Sequence, residues 1–223
     1  MPIGSPQLIL NAPTASIASG SASAATTADA PSGSLVVLSL YGTSTGATIS
    51  TLVDSNSNSY SLATRSIGTG SYPSIELWYF VNLAADLPIG STFTATTSGG
   101  NWFPNGAAIV SGANGGADQV AAAAQPSGTT FTLTSPSLSV PNEICFATFE
   151  YNGTISSYTE DSNWTELTGN PVTSNSGVDF AYRIVNSAAA VSWSPSFSTK
   201  VMNTIMATFK ASPVPPGTQM IFM

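Results

Sequence analysis

Leu35-Val36-Val37-Leu38-Ser39-Leu40-Tyr41 and Ile144-Cys145-Phe146-Ala147-Thr148-Phe149-Glu150 are two renderings of one apolar strand, 109 positions apart. Superposed, they pair Val36 with Cys145, Leu38 with Ala147 and Leu40 with Phe149. That set is apolar throughout and is expected to face a core. The alternate set pairs Leu35 with Ile144, Val37 with Phe146, Ser39 with Thr148 and Tyr41 with Glu150. It starts apolar and ends polar. Successive side chains of a strand point to opposite faces, so a strand that is apolar on both faces at one end is covered on both sides there. The half-apolar face marks where the two repeats, or neighbouring subunits, are expected to meet.

Working outward, other segments recur in the same order. Residues 75–81 align with 178–184, at an offset of 103. One face, Ile75/Val178, Leu77/Phe180, Tyr79/Tyr182 and Val81/Ile184, is apolar in both copies and is expected to face the core. Fully burying each such side chain is worth about 1.5–3 kcal/mol, and a one-residue slip would expose the whole set. The opposite face is Asp179, Ala181 and Arg183 in the second copy, as a solvated face should be. In the first it is Glu76, Trp78 and Phe80, and two large aromatics on an outer face need a cover. Residues 49–53 and 60–64 predict a hairpin across the turn-forming Asp54-Ser55-Asn56-Ser57-Asn58-Ser59. Residues 160–167 hold a shorter version, and Asp-Ser-Asn recurs at 161–163. Further strands are expected over 92–97, 107–111, 129–134, 190–193 and 204–209, and a weak edge strand within 14–28.

The expected fold is all-β with little or no helix: two homologous antiparallel β-sandwich units in tandem, of jelly-roll or Ig-like kind. The expected divisions are an N-terminal arm over 1–13, repeat 1 over 14–113, a linker over 114–128, repeat 2 over 129–211 and an extended tail over 212–223. The linker is marked by its Gly, Asn, Ala and Pro content. In the tail, Pro213, Pro215 and Pro216 impose an extended path ahead of the apolar Met220-Ile221-Phe222-Met223.

Only 7% of the 223 residues are charged, against roughly 25% in an average soluble protein. With 42% hydrophobic residues, the chain is globular and its surface is left to Ser, Thr, Asn and Gly. The net charge is −7, and the four cations are Arg65, Arg183, Lys200 and Lys210. Neutralising phosphates takes more cations than this, so no nucleic acid and no anionic membrane surface is expected as a partner. No apolar run approaches the ~18 residues of a spanning helix, and residues 1–34 lack the charged start of a secretory signal. The single cysteine, Cys145, excludes an intrachain disulfide and reads as a small buried hydrophobe.

Candidate chemistry is thin. Asp54-Ser55-Asn56-Ser57-Asn58 opens like a calcium loop, but the glycine and closing glutamate such a loop needs are replaced by Ser59 and Arg65. Glu150, Glu160, Asp161 and Glu166 form the densest acidic group; a glycosidase would need a pair of this kind, and surface carboxylates are the plainer expectation. The chain has no histidine, so a serine nucleophile lacks its usual base. No catalytic residue, metal or cofactor is expected.

The duplicated pattern resembles a loose group of bacterial and phage β-sandwich repeat proteins. The resemblance spans residues 30–211. It rests on Val53-Asp54-Ser55 through Asn58-Ser59-Tyr60, on Ser74-Ile75 through Trp78-Tyr79 with Asn82-Leu83-Ala84-Ala85, and on Met206-Ala207-Thr208-Phe209-Lys210-Ala211. It implies a cell-surface or virion-associated protein without catalytic residues. With a polar, charge-poor surface and no export signal, the expectation is a non-enzymatic structural virion protein of a bacteriophage, made in the bacterial cytoplasm. Capsid decoration or a head fibre is preferred to the tail. Its partners would be other virion proteins and further copies of itself, through Trp78, Phe80, Met220, Ile221, Phe222 and Met223. The alternative is a carbohydrate-binding or adhesin-type module that meets a host-surface glycan on a loop platform of Tyr72, Trp102, Phe103 and Trp164.

Overall fold

The computed structural model of the chain describes residues 2–11, 22–42, 44, 46–68, 74–113, 115–152, 155–168 and 176–212. Every regular element among them is a strand. In chain order these are β1 (Gln7–Asn11), β2 (Ala22–Ala25), β3 (Leu35–Gly42), β4 (Ile49–Asp54), β5 (Ser61–Ser66), β6 (Ile75–Phe80), β7 (Thr92–Thr97) and β8 (Trp102–Val110). Then follow β9 (Ala117–Thr130), β10 (Leu133–Thr134), β11 (Glu143–Asn152), β12 (Tyr158–Thr159), β13 (Thr165–Glu166), β14 (Ser176–Val185), β15 (Ser192–Trp193) and β16 (Ser196–Lys210).

The strands form two large and two small antiparallel sheets. The five-stranded sheet runs β1-β8-β3-β6-β5, and the six-stranded sheet runs β12-β16-β11-β14-β13 with β9 also on β16. Thus β3 lies between β8 and β6 as β11 lies between β16 and β14. The small sheets are β2-β7-β4 and β10-β15.

Alternation along β3 and β11 sorts the core into three clusters. Val36, Leu38 and Leu40 face β2-β7-β4 and pack with Leu52, Phe93 and Trp78. Cys145, Ala147 and Phe149 face the other way, among Leu133, Trp164, Trp193 and Phe197. The remaining faces meet each other: Leu35, Val37, Ile75 and Leu77 pack on Ile144, Phe146, Phe180 and Phe209. Both large sheets are therefore buried on both sides. The face that is apolar at one end only is where they join. At its polar end Ser39 meets Thr148. The sheets come so close that a Cβ on Gly106 would lie 2.8 Å from Thr168 Cγ2 and 3.2 Å from Phe180 Cδ1.

Several expectations are corrected. Residues expected as a linker over 114–128 largely form β9, in register with β16 from Ala117 opposite Phe209 to Gln125 opposite Met202. Alanine is a poor strand former by composition, but pairing and partial cover of Ala121 and Ala123 override that. The arm over 1–13 contains β1, which pairs with β8 and buries Ile9 and Leu10. The hairpin over 49–64 does not form as one. β4 pairs β7 in the small sheet while β5 pairs β6 in the large one, leaving the Val53–Ser59 bridge and the Tyr60 N–H to Leu52 carbonyl bond (2.8 Å) as its remnant. The outer faces of β6 and β14 are not outer: Glu76, Trp78, Asp179 and Ala181 are all buried. The weak edge strand expected within 14–28 is β2.

Candidate functional site

Asp54, the first residue of the calcium-like run, is buried and turns the chain between sheets. Its Oδ1 accepts from the Asn56 and Asn58 backbone N–H groups (2.9 and 3.0 Å), and its Oδ2 from Asn58 Nδ2 and Tyr60 Oη (2.9 and 3.1 Å). These bonds use the carboxylate's acceptor sites on the protein itself. Asp161 builds the related turn in the second half, accepting from Asn163 N–H and Ser194 N–H (2.9 and 3.0 Å). Among the described residues no group of three or more His, Cys, Asp or Glu side chains is placed to hold a metal ion.

Two of the four aromatic platform candidates are interior. Trp102 lies in β8, not in a loop, and is fully buried; Trp164 is buried against Trp193 and donates Nε1–H to the Ser192 carbonyl (2.9 Å). Phe103 is half-buried and stacks on Tyr41 at 5.3 Å. Tyr72 lies outside the described residues, as do Met220, Ile221, Phe222 and Met223. Of the two subunit-contact candidates on β6, Trp78 is 4% exposed and donates Nε1–H to Glu76 (2.6 Å), and Phe80 packs against the same cluster. Trp78 is thus an interior side chain, while Phe80 is partly buried.

The acidic group proves more interesting inside than out. Glu150 is fully buried with no hydrogen-bond donor for either oxygen, and burial pushes its carboxyl up to about 9. Glu160 is half-buried; its Oε1 accepts from the Asp161 backbone N–H and Trp193 Nε1 (2.7 and 2.8 Å) and its Oε2 from Tyr158 (3.0 Å). Asp179, which pattern alone assigned to a solvated face, is fully buried and touches Tyr158 through Oδ2. Burial, then the charge of Glu160, holds its carboxyl well above the usual range. Glu166 on β13 is raised for the same two reasons. Glu143 is buried at the start of β11, and burial opposed by Thr208 and reinforced by Asp118 pushes it up to about 7. Of the four acids expected at the surface, Glu150 is interior, whereas Glu160, Asp161 and Glu166 are partly exposed.

Asp118 is tied down differently. Ser139 donates to it twice (2.6 and 2.7 Å) and Lys210 Nζ lies 2.9 Å away. These contacts outweigh burial and hold it below the usual carboxylate range. Lys210 also borders a groove of about 1020 Å³ with Pro2, Ile3, Val140, Pro141 and Ile184. The groove is mainly apolar and gathers no acid–base pair. Cys145 is buried, and burial pushes its thiol up to about 12, so little thiolate forms near neutral pH.

Sequence reasoning missed Asp179, Tyr158 and Glu143. A carboxylate that alternates onto a polar-looking face carries no signal that another element will cover it. No family model matches this chain, and neither a curated protein nor a solved structure matches it.

Proposed function

We propose that the chain is a duplicated β-sandwich protein that serves as a structural component of a bacteriophage particle, as capsid decoration or a head fibre. The tandem reading is supported by the matching strand orders around β3 and β11 and by the contact between Ser39 and Thr148, which stand at equivalent places in the two copies. Equivalent residues that touch each other lie on or near a twofold axis.

The observation that carries the structural role is where the chemistry-bearing side chains sit. The Trp residues at 78, 102, 164 and 193 and the acids at 76, 143, 150 and 179 are buried. Exposed large apolar side chains among the described residues are Ile67, Ile89 and Val120. Two of the four cations, Arg65 and Lys210, are taken up in ion pairs. What faces outward is polar and nearly uncharged, and what lies inside is a doubly covered pair of large sheets. That suits a rigid spacer on a particle surface better than a catalyst. The motifs at 53–60, 74–85 and 206–211 support the same reading by resemblance. The glycan alternative loses Trp102 and Trp164 to the core.

The test is mass spectrometry of purified particles from the source genome's phage, with antibody labelling in electron micrographs. Stoichiometric presence on the head is expected. Absence from particles that retain infectivity would overturn the proposal.

A further inference from the structure

We infer that Asp179 is held in the folded protein as a neutral carboxylic acid, and that it latches β12 to the six-stranded sheet through Tyr158 and Glu160 until rising pH ionises it. The inference is independent of the virion reading.

The Tyr158 hydroxyl contacts Glu160 Oε2 at 3.0 Å and Asp179 Oδ2 at hydrogen-bonding distance. A phenol has one hydrogen, and ionised carboxylates only accept. Two hydrogen bonds at one hydroxyl between two carboxyl groups therefore need a second hydrogen, carried by one of the acids. Glu160 is supplied with N–H donors from Asp161 and Trp193 on its other oxygen, which suits a carboxylate. Asp179 Oδ1 has no donor, and its residue is fully buried. Thr148 donates to the Asp179 backbone carbonyl, not to its carboxyl. The proton belongs on Asp179. It donates to Tyr158, which donates to Glu160.

The surroundings agree from every side. Phe149 on β11 stands directly across from Asp179. Glu166 comes from β13, Tyr158 from β12 and Glu160 from the turn after it, and all the charge they can bring is negative. Arg183, four residues along β14, sits opposite Cys145. The first half makes the contrast. Glu76 occupies the equivalent place, and β5 brings Arg65 to 3.5 Å from it. The corresponding strand β13 brings Glu166. A buried acid facing like charges without a cation keeps its proton.

Loss of that proton would set two or three carboxylates against one another at low dielectric. The element that would give way is β12, which is two residues long, pairs with Phe197 and Ser196 of β16 and carries Tyr158. Its release would uncover Phe149, on which Tyr158 packs at 5.5 Å.

The test follows the Trp193 indole N–H by NMR in the full chain, because that group is bonded to Glu160. One step is expected as pH rises, above the usual carboxylate range. Asp179→Asn, which is neutral and nearly isosteric, should abolish the step and remove one protonated-acid carbonyl band from the neutral-pH infrared spectrum. Glu160→Gln should keep that band and move the step down by about 1–3 pH units, since it removes the nearest like charge. A step that survives in Asp179→Asn, an acid band lost in Glu160→Gln, or a step that does not move in Glu160→Gln would each overturn the inference. The Glu160→Gln arm decides the matter should the Asn variant fail to fold.

Discussion

Ser39 Oγ donates to Thr148 Oγ1 at 2.9 Å, across the join between the two large sheets. Asn105 Nδ2 donates to both hydroxyl oxygens (2.8 and 3.2 Å), and Thr148 passes its own hydrogen to the Asp179 carbonyl (2.6 Å). All three side chains are buried, and the donors and acceptors at the two hydroxyls balance. The pair therefore sets the register of one sheet on the other as well as contributing energy.

Thr148→Val is predicted to cost more than Ser39→Ala, because it strands donors from two partners at once. Burying an unsatisfied group costs about 1–3 kcal/mol, so Thr148→Val should lower stability by about 2 kcal/mol and Ser39→Ala by about 1 kcal/mol. The double variant should show a coupling of about 0.5–1.5 kcal/mol. Urea titrations of the four proteins check this; strict additivity would show that the hydroxyls do not act as a pair.

That contact shows how much of the fold was legible. Alternation in the duplicated strand separated Val36, Leu38 and Leu40 from Leu35 and Val37, and placed the meeting face on the second set. It also aligned Ser39 with Thr148. Alternation is a local property, so it could report apolar faces but not which sheet covers which. Glu76 and Asp179 looked solvated because their strands alternate acid with apolar residues; cover comes from the small sheet β2-β7-β4 in one case and from β12 and β15 in the other. β9 was hidden for a different reason. Its Ala and Gly residues have little side chain to show a pattern, and only backbone pairing with β16 makes them a strand. Asp54 was visible as a motif, but its role as the corner between sheets depends on β7, forty residues further on.

Asp54→Ala is predicted to be among the most damaging polar substitutions outside the join. It leaves four donors, two of them backbone N–H groups, without the carboxylate that organises them. Ser57 holds a left-handed φ of 64° within this turn, a conformation that non-glycine residues adopt only when neighbours enforce it. A loss of about 2–4 kcal/mol is expected by chemical denaturation. Added calcium should leave the melting temperature of the native chain unchanged, because the carboxylate is already saturated by the protein.

Trp102→Ala separates a core role from a binding role. Trp102 is fully buried, and a Cβ placed on Gly42 would meet its ring at 2.8 Å, so the indole fills the space beside that glycine. Truncation should cost about 3–5 kcal/mol. Loss of folding in thermal melts is expected rather than a selective loss of glycan binding. A stably folded Trp102→Ala protein that had lost affinity for a glycan would reinstate the platform.

The buried acids are predicted to make the fold more stable at mildly acidic than at alkaline pH. An unfolded glutamate titrates near ~4.3, whereas burial pushes Glu150 up to about 9 and, with Asp118 beside it, Glu143 up to about 7. Between those values the folded chain holds protons that the unfolded chain has released, so stability is complete below ~4.3 and falls as pH rises. Each proton fully retained steepens the fall by about 1.4 kcal/mol per pH unit. Asp118 works in the opposite sense: its depressed carboxyl loses its contribution only as pH drops through strongly acidic values. The melting temperature should therefore be higher near pH 5 than near pH 8, by about ten degrees or more at about 2–4 °C per kcal/mol. Glu150→Gln keeps the shape, removes the titration and should flatten the decline toward pH 9. Melts that are flat or rise across this range in the native chain would show that Glu150 is ionised in the fold.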